Sequence, residues 1–169
     1  MRLNNKTAIV TGGASGFGKG IVEKFIEEGA NVVIADINYD SAKELADLLG
    51  KNAYAIKVDV SKKNEVDNMI NQSEEHFSEI NILVQNAAIG MKPQPLLETS
   101  EELFDKLFAI NVKSVFLGAK AIIPLFKRQG KGGIILNTVS TAALRPRPGL
   151  TVYNSTKGAL IPMTKALAL

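Results

Sequence analysis

The sequence contains no cysteine, no tryptophan and a single histidine, His76. Without cysteine there are no disulfides, no zinc–thiolate or iron–sulfur sites and no thiol nucleophile. One histidine cannot build a histidine metal cage, and a Ser-His-Asp triad would have to use His76. That residue follows Glu74 and Glu75 near the end of a polar helical stretch, so it reads as solvated. No uninterrupted apolar run approaches the ~18 residues of a membrane span. Residues 1–11 carry neither the apolar core nor the cleavage pattern of a signal peptide. Neither sign of charge dominates: 20 Lys+Arg against 17 Asp+Glu leave +3. The basic residues are scattered, with Arg145 and Arg147 the tightest pair, which is no nucleic-acid footprint. The expectation is a cytoplasmic protein that binds neither nucleic acid nor membrane and holds no metal.

What is present is ordinary in bulk. The 169 residues are 46% hydrophobic and 22% charged, enough for one domain with a real core. Short apolar runs recur at 7–10, 31–35, 55–58, 80–84 and 133–136. Runs of this kind suit strands buried on both faces of a parallel sheet. Helical patterns lie between them. One runs to Gly29 with Ile21, Val22, Phe25 and Ile26 in phase, and a second spans 41–49 before Gly50. A third spans 61–77, with Ser61 and Asn64 as candidate caps. A long one covers 101–129, with Pro124 kinking it or marking its last turns, and the last runs from Thr151 to Leu169. This alternation predicts an α/β fold with helices on both sheet faces. The expected strand order is 3-2-1-4-5, with ligands at the carboxyl ends of strands 1 and 4, where the order reverses.

The first strand runs into Thr11-Gly12-Gly13-Ala14-Ser15-Gly16-Phe17-Gly18, which opens the first helix. Glycines there permit a tight turn and a close approach of phosphate to backbone N–H groups. Residues 13–19 also fit the start of an NTPase phosphate loop, G-x-x-x-x-G-K. That loop needs a hydroxyl next, to hold Mg²⁺, and the chain has Gly20. Asp36 ends the second strand 18 residues after Gly18. An acidic residue at that distance accepts hydrogen bonds from the adenosine ribose, and its charge repels a 2′-phosphate. Ser15 and Ile37 supply no compensating cation. NAD is therefore expected in preference to NADP.

Tyr153 and Lys157 are four residues apart on a predicted helix and share a face. A tyrosine hydroxyl, with a reference pKa of about 10, is a weak acid–base group at neutral pH, and a neighbouring ammonium favours its phenolate. Such a pair can exchange a proton with an alcohol or carbonyl oxygen. Ser140 lies 13 residues upstream, after the fifth strand, where its hydroxyl could meet a substrate oxygen. Asn111 sits inside the long helix, a poor place for asparagine, which suggests another use or a local bend. Asp59-Val60 and Asn86-Ala87-Ala88 end the third and fourth strands.

Taken together, these motifs resemble the short-chain dehydrogenase/reductase family over nearly the whole chain. The resemblance implies a Rossmann-type doubly wound domain and NAD(P)-dependent hydride transfer between nicotinamide and a secondary alcohol or ketone. It implies Tyr153 as the acid–base residue and Lys157 as its partner and ligand of the nicotinamide ribose. Ser140 would orient the substrate oxygen, and Asn111 would support a proton-relay water. Gly12, Ser15, Gly16, Phe17, Gly18, Asp36, Ile37, Asp59, Val60, Asn86, Ala87 and Ala88 would hold the cofactor, with Asp59 and Val60 at the adenine. Residues 140–157 are similar to bacterial members labelled 3-oxoacyl-carrier-protein reductases, glucose dehydrogenases or cyclic alcohol dehydrogenases, which does not fix a substrate. Two departures stand out. The family often has Asn-Asn-Ala-Gly where this chain has Gln85-Asn86-Ala87-Ala88. A full member also continues past residue 169 with two strands, helices and a Pro-Gly region that cover the nicotinamide. The expectation is thus a single domain over 1–169, truncated at its C-terminus, in which Leu160, Ile161, Met163, Leu167 and Leu169 lose neighbours. A homo-oligomer, dimer or tetramer, is implied for the complete protein, through the long helix. The alternative to an enzyme is a dinucleotide-binding module without catalysis.

Overall fold

The computed structural model describes residues 1–168. Five parallel strands, β1 (Thr7–Thr11), β2 (Asn31–Asp36), β3 (Ala53–Lys57), β4 (Ile82–Gln85) and β5 (Ile134–Asn137), form one sheet in the order β3-β2-β1-β4-β5. The connecting helices are α1 (Gly16–Glu27), α2 (Tyr39–Leu49), α3 (Lys63–Phe77), α4 (Glu101–Phe108), α5 (Ser114–Gln129) and α6 (Thr151–Leu167). The expected order and alternation are both present. Residue parity within the strands divides the core in two. Ala8, Val10, Val32, Ile34, Ile82 and Val84 meet α1 and α2, while Ile9, Val33, Leu83 and Ile56 meet α3 and α5. This is the period-two alternation of a sheet covered on both sides.

β5 departs from that expectation. Its register places Ile134 beside Ile82 and Leu136 beside Val84. Yet these two side chains are 54% and 46% exposed. The reason is that α1 and α2 lie over β1, β2 and β3, and no described helix covers this face of β5. The other face is engaged: Ile135 packs on the core and Asn137 donates to Thr164 of α6 at 2.8 Å. Of the residues expected to lose neighbours, Leu160 is buried, Ile161 and Met163 are half-buried and Leu167 is exposed. Leu169 lies outside the described residues.

Helix boundaries follow local chemistry. Gly29, at φ +90°, ends α1, and Asn38 caps α2 by accepting from the Ser41 N–H. Neither Ser61 nor Asn64 caps α3. Its first turn instead follows a loop in which Asp59 accepts from the Ser61 N–H and hydroxyl. Ser100 caps α4 through the Leu103 N–H. The long helix is not interrupted at Pro124, which sits within α5. It is interrupted upstream by a π-helical turn, Ala109–Lys113. The added residue per turn aims Asn111 inward, where its amide finds partners off the helix. By length and composition the stretch Glu101–Gln129 could cross a membrane, but much of its apolar content (Leu107, Leu117, Ile122, Leu125) is buried in this core.

Gln85, the departure at the end of β4, is accommodated by a glycine. Its amide nitrogen donates to Val115 O and to Asn137 Oδ1, both at 3.1 Å. Its oxygen occupies the space where a Cβ on Gly118 of α5 would stand. Gly118→Ala should therefore destabilise the fold by about 1–3 kcal/mol through overpacking, despite the helix propensity it gains. Adding the shorter Gln85→Asn should recover part of that loss. A denaturation midpoint for Gly118→Ala at or above wild type would sink this account.

Candidate active site at the sheet switch point

β1 and β4 are neighbours whose connections leave toward opposite faces, so a crevice opens beyond their carboxyl ends. It is a cavity of about 1000 Å³. Its base is a hydrogen-bonded joint. The Thr11 hydroxyl donates to Val84 O at 3.3 Å and accepts from the N–H groups of Asn86 and Ala87 at 3.0 and 3.1 Å. The Asn86 amide nitrogen returns to Thr11 O and Gly12 O at 3.1 and 3.3 Å. The family resemblance implies Asn86 as a cofactor ligand. It lines the cavity, but its side chain is spent on holding the glycine turn to β4.

The turn itself is close-packed. Gly12 has φ +62°, and a Cβ there would come within 2.9 Å of Ala87 Cα. A Cβ on Gly18 would overlap the Gly12 carbonyl. Gly16, at φ +53°, faces open space. Ser15 precedes α1 without a side-chain cap, and the helix's first turn has no acidic residue. The first N–H groups of α1 are thus available to an anion, in a cradle that side chains at 12 and 18 would fill. This geometry fits a dinucleotide pyrophosphate. Phe17, Ile37 and Val60 line the cavity, with Phe17 and Ile37 well exposed. Gly16 and Gly18 shape the turn without lining it.

Asp36 lines the cavity and also organises it. Its carboxylate accepts from the Ala14 N–H and the Asn38 N–H, both at 3.0 Å. Two hydrogen bonds leave a carboxylate further acceptor sites for ribose hydroxyls. Asp59 sits beside it at the end of β3, with Oδ1 occupied by Ser61. No described group of three or more His, Asp or Glu could hold a metal. His76 lies away from the cavity, exposed and stacked on Tyr54 at 4.0 Å between ring centroids.

At the other end of the cavity stand Ser140, Tyr153 and Lys157. Ser140 accepts from the Ala142 N–H at 3.1 Å and so begins the short turn after β5. Lys157 is buried, with its ammonium donating to Thr138 O at 2.9 Å. Burial holds its pKa below the ordinary 10.5. Asn111 does not line the cavity. It is buried, accepts from Ile89 N–H, and donates to Ile89 O and the Thr156 hydroxyl. Its place is that of a strut between the β4 loop and α6, which the sequence hinted at only by a misplaced asparagine. Thr138, Ile89, Lys106 and Arg147 also line the cavity, and no motif singled them out.

Fold order, glycine turn, strand-end carboxylate and a Tyr-x-x-x-Lys helix on one crevice define a dinucleotide-fold α/β protein. The chain belongs to the short chain dehydrogenase family, whose sequence profile matches residues 6–169. It is 35% identical to 3beta-hydroxysteroid dehydrogenase 2 of Eggerthella lenta, over 98% of this chain and 65% of that protein. It matches a 3-ketoacyl-(acyl-carrier-protein) reductase from Brucella melitensis complexed with NADH at TM-score 0.95 and 42% identity, over 98% of this chain and 70% of that one. A short chain dehydrogenase/reductase from Burkholderia phymatum in complex with NAD matches at TM-score 0.94 and 29% identity, over 99% and 60%. The chain therefore spans roughly two thirds of the length of these relatives.

The buried Lys157 generates a stability prediction. Because folding disfavours its charged form, wild-type stability carries a cost that fades as pH rises through the lowered folded pKa toward 10.5. Lys157→Met should melt at or above the wild-type temperature near pH 7. The difference, wild type minus variant, should become more positive from about pH 7 to about pH 10. A pH-independent difference in thermal scans would contradict this.

Proposed function

We propose that the chain carries the cofactor-binding and proton-transfer machinery of an NAD-dependent oxidoreductase acting on a secondary alcohol or ketone. The observation that supports this is that Tyr153, Lys157 and Ser140 share one cavity with the glycine turn and Asp36. The nicotinamide, when bound, supplies or accepts the hydride. The rest falls to the chain's own groups. The glycine turn and the α1 N–H groups take the pyrophosphate, and Asp36 takes the adenosine ribose and repels a 2′-phosphate. Asp59 and Val60 flank the adenine, and Ala87 and Ala88 lie along the cofactor.

Tyr153 gives or takes the proton on the substrate oxygen as general acid–base residue. The Lys157 ammonium places a positive charge at this end of the cavity and binds the second ribose. Ser140 donates to the substrate oxygen and fixes its distance from Tyr153. Asn111 acts as a positioning residue for the relay of protons to solvent, since its own amide is committed to Ile89 and Thr156. A second copy would pair through the outer face of α4 and α5, where Phe104 and Phe116 are 43% and 52% exposed.

Tyr153→Phe should lower kcat/KM for ketone reduction by about 10²–10⁴ while the NADH dissociation constant stays within about twofold. Unchanged turnover would overturn the assignment. NADH binding by wild type, with no reduction across a ketone panel, would favour the non-catalytic module. Asp36→Asn should cut the preference for NADH over NADPH by about tenfold, because one repulsive charge is removed. An unaltered ratio in fluorescence titrations would remove Asp36 from cofactor selection.

A further inference from the structure

The cavity is electrically polarised, and the cofactor reading leaves one of its poles unexplained. Among the described residues its only acidic lining residues are Asp36 and Asp59, at the ends of β2 and β3. Its only cations among those residues are Lys106, Arg147 and Lys157, from α4, the loop before α6, and α6. The strand order puts these two sets on opposite sides of the switch point, since β3 and β2 lie to one side of β1 and β5 to the other. Lys157 has a role beside Tyr153. Lys106 and Arg147 have none, and neither forms an ion pair among the described residues.

Arg147 is also held in place. Asn154, next to Tyr153, donates its amide nitrogen to Arg147 O at 2.9 Å and accepts from the Arg147 N–H at 3.4 Å. Two residues on, Gly149 O accepts from Gln94 N–H at 3.0 Å, which joins this loop to the one after β4. The left-handed Gly149, φ +74°, keeps that approach open, because a Cβ there would stand 3.1 Å from Gln94 N. The main chain of Arg147 is thus fixed beside the reacting tyrosine while its side chain stays exposed. A guanidinium so held, without an acidic partner, is suited to a carboxylate, sulfonate or phosphate oxygen.

We infer that the second reactant is an anionic secondary alcohol or ketone, whose acidic group is bound by Arg147 with Lys106 adding to the field. This rests on the oxidoreductase reading and narrows its substrate class. It also assigns the two poles complementary work: the acidic pole discriminates between cofactors, and the basic pole selects the substrate.

The test uses 3-hydroxybutyrate, 4-hydroxypentanoate and the methyl ester of each. Turnover with NAD is followed by NADH absorbance, and binding to the protein–NADH complex by NADH fluorescence. Wild type should favour an acid over its ester by about tenfold or more, the fold-change that one charge-assisted hydrogen bond carries. The preference should shrink as salt is raised. Arg147→Gln should bring the acid-to-ester ratio close to one, and Arg147→Glu should invert it. The Asn154 clamp contacts only the main chain of residue 147, so both variants keep it. Equal use of acids and esters by wild type, or a ratio untouched in both variants, overturns the inference. So does a loss of NADH affinity in Arg147→Gln without a change in that ratio, which would give the cation to the cofactor. Binding of NADH with neither turnover nor binding of any of the four compounds also overturns the inference, while the oxidoreductase reading stands or falls separately on the ketone panel.

Discussion

Where β1 and β4 leave the sheet toward opposite faces, the backbone groups at their ends would be left without partners. Thr11 and Asn86 supply them. One hydroxyl and one amide cross-link the two strand ends through five hydrogen bonds, all between 3.0 and 3.3 Å. The glycine turn is thereby held against β4 at a separation that admits no side chain at 12 or 18. The rest of the crevice is arranged around this joint. Asp36 pins the far limb of the turn through Ala14, and Thr138 reaches Asn86 from the end of β5 at 3.4 Å. Because these bonds are buried or half-buried, losing one partner would leave a polar group unpaired in the core.

A second polar system carries α6, the helix of Tyr153 and Lys157. Gln85 binds Asn137, and Asn137 binds Thr164 of α6. Asn111 binds the β4 loop and Thr156 of the same helix. Lys157 binds the carbonyl of Thr138. Three contacts, two from the end of β5 and one from the π turn, therefore set where α6 lies, and with it where Tyr153 stands. The π turn at Ala109–Lys113 belongs to this arrangement, since it is what aims the Asn111 amide at α6 rather than along its own helix. No described side-chain polar atom that is fully buried lacks a partner, so the network is complete.

Electrostatics follow from topology. Carboxylates at the ends of β2 and β3 and cations on α4, α6 and the loop before it cannot mix, because the sheet order keeps them on opposite sides of β1 and β4. A ligand lying across the switch point meets acid at one end and base at the other. Burial at the basic end also depresses the pKa of Lys157. That ammonium remains in place because its hydrogen bond to Thr138 offsets part of the cost of burying it.

Much of this could be read from the sequence because it is local. Apolar runs and their spacing carry the strands, Gly29 and Gly50 carry helix ends, and the glycine turn with Asp36 carries one half of the crevice. Tyr153 and Lys157 share a face through helical periodicity alone. The remainder depends on groups brought together from afar. That Asn86 would hold a turn 75 residues earlier, that Gly118 would make room for Gln85, and that Asn111 would brace α6 are pairings no local pattern encodes. The exposure of Ile134 and Leu136 could not be read from an apolar strand pattern, because it depends on which helices reach that part of the sheet. In the sequence Arg147 is one of the tightest basic pair, with Arg145, and its place at the Tyr153 end of the cavity comes only with the crevice. The sequence by itself determined the elements, their order and the residue types at the turn and the Tyr-Lys helix, since these follow from periodicity and backbone preference within a few residues. Only the tertiary structure decided which polar side chains would be consumed in holding the crevice and which would face it, because that choice is made by hydrogen-bond partners and charges distant in the chain.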